Sequence, residues 1–147
     1  LKRNSLQGAQ FVAEQLNVKS MILIEGESFH LDTYFTPALN KKGKIAALII
    51  CLKIISDDSK RRITELAKKL NVPVIDIPPD DTIGSKNKIG SFAANALPLP
   101  GVLIHPNQFS DKTIKTRLLS IGIEQVITPT SQFQLSGGSV HCLTNEL

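Results

Sequence analysis

The chain has 147 residues with 41% hydrophobic and 20% charged side chains, proportions of a globular domain and not of a disordered tail. Seventeen Lys and Arg against thirteen Asp and Glu leave a net charge of +4, too slight and dispersed for a nucleic-acid surface. The longest apolar run, 45–55, is broken by Lys53 and falls well short of the roughly 20 residues a membrane span needs, so neither nucleic acid nor membrane is an expected partner.

Taken in chain order, an amphipathic helix is predicted at 5–16 and a short strand at 21–24, followed by the charged turn Glu25-Gly26-Glu27, read as exposed loop. Segment 29–39 mixes apolar residues with His30 and Asp32 and reads as a strand, and 45–50 as an apolar strand. A second helix spans 57–70, where Lys60-Arg61-Arg62 and Lys68-Lys69 fall on a solvated face, and a strand follows at 72–77. Strands are expected again at 91–99 and 102–105, then a helix at 111–121, a strand at 125–128 and a last strand over 139–147. The order strand, strand, helix, strand thus recurs with a period of about fifty residues. Two architectures fit: repeated units whose polar strands converge on one axis, and an ordinary doubly wound α/β domain.

Cysteine usage points to a reducing compartment, the cytoplasm, because two thiols in very different contexts, Cys51 and Cys142, make no disulfide framework. No leader is visible, and a start at Leu1 in place of Met leads us to expect a piece of a longer protein, although 1–147 reads as a single domain. Phosphate-cradling and dinucleotide motifs are absent, no cysteines pair at zinc spacing, and the three histidines are scattered. No metal or other cofactor is expected.

Chemistry concentrates at three places. Cys142 follows Gly137-Gly138, which permit tight turns and close approach of a ligand, and sits near Ser139, His141 and Thr144; a reactive thiol and a buried structural one are both consistent with this. Cys51, inside Leu48-Ile49-Ile50-Cys51-Leu52, is core. His30 and Asp32 flank Leu31, so on a strand both would face one side, either as an acid/base pair able to meet a cationic substrate or as a satisfied surface pair. On a strand His141 would point away from Cys142 and is a poor base; His105, ending a strand before Pro106, reads as structural. Asn95, a lone amide in Phe92-Ala93-Ala94-Asn95-Ala96, needs partners if buried, from backbone or from substrate.

Phe29-His30-Leu31-Asp32-Thr33, Phe92-Ala93-Ala94-Asn95-Ala96 and the stretch from Gly137 to Leu143 together resemble, in order, motifs of the arginine deiminase, dimethylargininase and amidinotransferase superfamily of guanidino-group modifying enzymes, the penteins, in its C-terminal part. The resemblance implies a β/α propeller of five strand-strand-helix-strand blades around a central channel, about three of which are present. It implies Cys142 as nucleophile, His30 as general acid and base and Asp32 as partner of the guanidinium. Asn95 lines or braces the site, and Gly138 and Ser139 are counted with the substrate contacts. A guanidinium carbon is resonance-stabilised and a poor electrophile, so a thiolate held in line suits it.

The implied activity is a cysteine-dependent hydrolase converting arginine or methylated arginine to citrulline with release of ammonia or an alkylamine, through a covalent thiouronium. An amidinotransferase and a non-catalytic remnant or binding module are the alternatives. Further carboxylates that grip the guanidinium belong to the earlier half of the family's propeller and have no counterpart here, and an open propeller exposes strand edges and apolar surface. Either an N-terminal half or a second copy of the chain is expected to complete it.

Overall fold

The structure, a computed structural model, describes residues 5–28, 30–85 and 87–145. Phe29, which opens the histidine motif, lies outside them, as do the last two residues of the final predicted strand.

The first helix, α1 (Leu6–Gln15), starts at Ser5, whose side chain accepts the Gly8 N–H, and buries none of its residues. Segment 21–24 carries apolar residues as a strand would but joins no ladder; the one bridge nearby pairs Gly26 with Ile55. Expected strand character there is therefore not realised, because a strand needs a neighbour to hydrogen-bond and none among the described residues lies alongside it.

Two complete strand-strand-helix-strand units follow. In the first, β1 (Phe35–Leu39) runs antiparallel to β2 (Ile45–Ile50) with Phe35 opposite Ile50, joined by a turn in which Asn40 Oδ1 accepts the Lys42 and Lys44 N–H groups and Gly43 takes φ +71°. Helix α2 (Asp57–Leu70) then returns the chain so that β3 (Val74–Asp76) lies parallel to β2. A loop with the two-residue hairpin β4 (Gly84–Ser85) and β5 (Lys88–Ile89) leads into the second unit. There β6 (Leu97–Leu99) pairs antiparallel with β7 (Val102–His105), helix α3 (Thr113–Ser120) crosses over, and β8 (Glu124–Ile127) is parallel to β7. A one-turn helix, α4 (Ser131–Gln134), precedes the glycine pair.

The core lies between sheets and helices. Leu48, Ile49, Ile50 and Cys51 are buried on β2 and just past it, Ile63 and Ala67 face them from α2, and Ile114 and Leu118 pack from α3 with Leu103 and Ile123. Each fully buried aliphatic side chain contributes about 1.5–3 kcal/mol. The central strand of the first unit is apolar and buried on both faces from Ala47 to Ile50, whereas that of the second alternates half-buried and buried residues.

The innermost strands, β1 and β6, pack side by side; Thr36 Oγ1 donates to Ala96 O at 3.5 Å and the Gly101 N–H to Leu39 O at 3.0 Å. The fold is thus α/β, built of small three-stranded sheets that remain separate and do not close into a barrel. No helix among the described residues is long and apolar enough to cross a membrane.

Candidate active site

Each functional side chain precedes, or stands in the place of, the first strand of a unit. The segment read as a strand from residue 29 becomes one only at Phe35; Leu31–Thr33 is instead a 3-10 turn, with Thr33 N–H to His30 O at 3.3 Å and Tyr34 N–H to Leu31 O at 3.1 Å. His30 and Asp32 therefore do not share a strand face as alternation predicted. The Thr33 hydroxyl, donating to His30 O at 2.6 Å, competes with the ladder and closes the turn.

The expected last strand is also a 3-10 turn, His141–Leu143, closed in the same way by Thr144 Oγ1 donating to His141 O at 2.8 Å. This corrects the reading of His141. Wound into a turn, its ring reaches Asp32, with Nδ1 3.2 Å from Oδ2, and so lies beside Cys142 and not away from it. Between the two turns, 91–96 is also turn and not strand: Asn95 N–H bonds Phe92 O, and Phe92 holds φ +56°, a left-handed conformation costly for an aromatic residue and kept by its complete burial.

Asp32, Asn95 and Cys142 meet. Asn95 is fully buried; its Nδ2 donates to Asp32 Oδ2 at 2.9 Å and Asp32 O at 3.2 Å and lies 3.3 Å from Cys142 Sγ, while its Oδ1 accepts the Cys142 N–H at 3.4 Å. Its backbone O accepts the His141 N–H. One amide thus ties three segments distant in sequence and has its own hydrogen-bonding capacity occupied by protein, which makes it a brace. Cys142 is exposed, and its Sγ lies 3.3 Å from Asp32 Oδ2. Cys51 is buried as expected, and burial pushes its thiol above the ordinary range.

An open cleft of about 510 Å³ adjoins this group, lined by His30, Asp32, Phe35, Thr36, Pro98 and His141 among others. Hollows elsewhere on the surface, beside α3 and along α1, lie away from the thiol and carry no comparable set of reactive groups. Gly137 takes φ +82° and earns its place in the turn; at Gly138 a methyl group would meet Cys142 Cβ at an ordinary 3.6 Å. Ser139 is buried with its hydroxyl 2.8 Å from Thr130 Oγ1, a bond that anchors the approach to Cys142 from within. Glu25 and Glu27 are exposed. Among the described residues no group of three or more His, Cys, Asp or Glu side chains is placed to hold a metal ion.

The arrangement of paired three-stranded sheet units is one that solved structures share. No protein-family model matches the sequence. The bifunctional arginine dihydrolase/ornithine cyclodeaminase AgrE of Nostoc sp. is 26% identical over 145 residues, 97% of this chain but 18% of that protein. The crystal structure of an AgrE variant with L-arginine superposes with a TM-score of 0.74 at 21% identity, covering 95% of this chain and 19% of the other. The substrate-bound N-terminal domain of ArgZ, an arginine dihydrolase of cyanobacteria, gives 0.73 at 22% identity over 95% of this chain and 46% of that one, and the same domain has been solved with a covalently bound reaction intermediate. An agmatine deiminase of C. jejuni gives 0.61 at 18% identity, covering 95% and 45%. The chain has the fold of these pentein proteins and spans less than a fifth of the bifunctional relative and under half of the single-domain structures.

Proposed function

We propose that the protein containing this chain is a cysteine-dependent hydrolase of guanidino compounds, with arginine or a methylated arginine as substrate, acting in the cytoplasm. The observation that carries the reading is the convergence of Asp32, Asn95 and Cys142, from three segments distant in sequence, beside a cleft lined by His30, Asp32 and His141.

The chemistry follows from the groups. The cation binds with its N–H groups against the Asp32 carboxylate, a charge-assisted pairing suited to a planar guanidinium. The Cys142 thiolate adds to the central carbon, forming a C–S bond and a tetrahedral adduct. His30 gives a proton to the departing nitrogen, the C–N bond breaks and ammonia or an alkylamine leaves a thiouronium on Cys142. Water, deprotonated by His30, then adds to the same carbon; the C–S bond breaks, the thiolate is restored and a ureido product such as citrulline departs. Asn95 keeps Asp32 and Cys142 at a fixed spacing through both additions. The further carboxylates that a tightly held guanidinium requires would come from sequence of the same protein outside 1–147, the part that completes a five-bladed ring.

Supplied with arginine or its methylated forms, the full-length protein releases ammonia or an alkylamine, and Cys142→Ser reduces the rate to background. Release at the unaltered rate in that variant overturns the reading. Formation of an amidino product when a second amine is supplied, at the expense of the ureido product, reassigns the protein to amidino transfer.

A further inference from the structure

We infer that His141 is a positioning residue that fixes the orientation of the Asp32 carboxylate, and so sets how strongly the site selects a cation. The inference rests on the hydrolase reading above.

The hydrogen bonds described for the Asp32 carboxylate all fall on one oxygen. Oδ2 accepts from Asn95 Nδ2 at 2.9 Å and lies 3.2 Å from His141 Nδ1 and 3.3 Å from Cys142 Sγ. Two nitrogen donors and the Cys142 sulfur crowd Oδ2 and leave Oδ1 as the oxygen turned to a ligand. Asn95 alone is a single point of attachment about which the carboxylate still pivots. The imidazole, with its proton on Nδ1, provides a second from another direction and stops the pivot. Asn95 is fully buried while the His141 side chain is 44% exposed and stands on the cleft wall, so the two hold Asp32 from inside and from outside.

The backbone that carries the ring is fastened at both its N–H and its carbonyl. His141 N–H donates to Asn95 O at 3.3 Å, and its carbonyl accepts from both Thr144 N–H at 3.1 Å and Thr144 Oγ1 at 2.8 Å. His141 and Cys142 are adjacent in one turn, so the grip on the cation and the nucleophile are set by the same rigid piece.

The test separates cation recognition from thiol reactivity. In the full-length protein, Cys142 is alkylated with a neutral reagent, iodoacetamide, and with a cationic one of similar size, chloroacetamidine, and the ratio of the two rates is measured alongside kcat and KM for arginine. His141→Leu is expected to lower the cationic-to-neutral ratio and raise KM, each about tenfold, the scale of one hydrogen bond to a charged group, with a smaller change in kcat. His141→Asn, whose Nδ2 occupies nearly the position of the imidazole Nδ1, restores both, and His141→Gln, whose amide lies one methylene further out, does not. An unchanged ratio in His141→Leu, or no recovery in His141→Asn when thermal melting shows that variant folded, overturns the inference while leaving the hydrolase intact. A wild-type Cys142 inert to both reagents overturns the hydrolase reading and this inference with it.

Discussion

His105 ends β7 with its ring wholly buried and stacked on Phe109, centroids 5.0 Å apart. Neither ring nitrogen has a hydrogen-bond partner of good geometry. Burial pushes its pKa below the ordinary value, and the nearby Asn107 backbone and Gln125 side chain offset only part of that. The unfolded chain therefore takes up a proton near pH 6.5 that the folded chain refuses, so the contribution to stability is whole above that pH and is lost as pH falls below it. Denaturant unfolding at pH 7.5 and pH 5.5 is expected to show a fall in stability that is smaller in His105→Leu; an equal fall in both removes His105 as its source. Asp81 behaves oppositely: burial raises its pKa, and bonds from Ser110 N–H, Ser110 Oγ and Ser91 Oγ oppose the rise, so its ionisation weakens the fold as pH climbs above the usual carboxylate value.

At the scale of elements, α2 is the helix whose ends are written most clearly. Ser56 accepts the Ser59 N–H, Asp57 and Asp58 occupy the first turn, Lys68 and Lys69 the last, and Asn71 closes it at φ +54°. Ser56→Ala is expected to cost about 1 kcal/mol through the lost cap, and Asn71→Ala about 1 kcal/mol through the left-handed backbone that alanine resists. Shifts in the denaturation midpoint measure both, and no shift in either means that packing alone fixes the helix ends. Its basic run is neutralised locally, Lys60 on Asp57 and both Arg61 and Arg62 on Asp58. Such caps, and runs of β-branched residues, are why α2, β2 and β7 were legible from sequence to the residue. The two turns at the site were not. His30-Leu31-Asp32 alternates as a strand does, and the period of two hid an i to i+3 wind. One signal does mark it: His30-Leu31-Asp32-Thr33 and His141-Cys142-Leu143-Thr144 both place Thr three residues after His, and both hydroxyls bond that histidine's carbonyl. Read as a repeat, it moves His141 from the far side of a strand to the carboxylate.

Over the whole molecule, three places in the sequence marked the residues that meet beside the cleft, because Asp32, Asn95 and Cys142 sit among apolar or glycine neighbours where polar groups need a reason. The sequence did not reveal how they touch, since contacts spanning 110 positions depend on how the units pack. Apolar residues also remain in the open: Phe11 and Val12 on α1, Leu16 just after it, and Phe133, Leu135 and Leu143 near the other end are more than half exposed. Exposed apolar surface of this extent is characteristic of a face that packs against something else. Attack of Cys142 on a guanidinium is the step on which the proposed hydrolysis depends. Full-length protein mixed with arginine, quenched in acid within the first turnovers and weighed intact, is predicted to gain the mass of arginine less ammonia, mapped by peptide digestion to Cys142 and absent from Cys142→Ser. Turnover of arginine with no adduct on Cys142 under any quench, together with activity retained in Cys142→Ser, would contradict it.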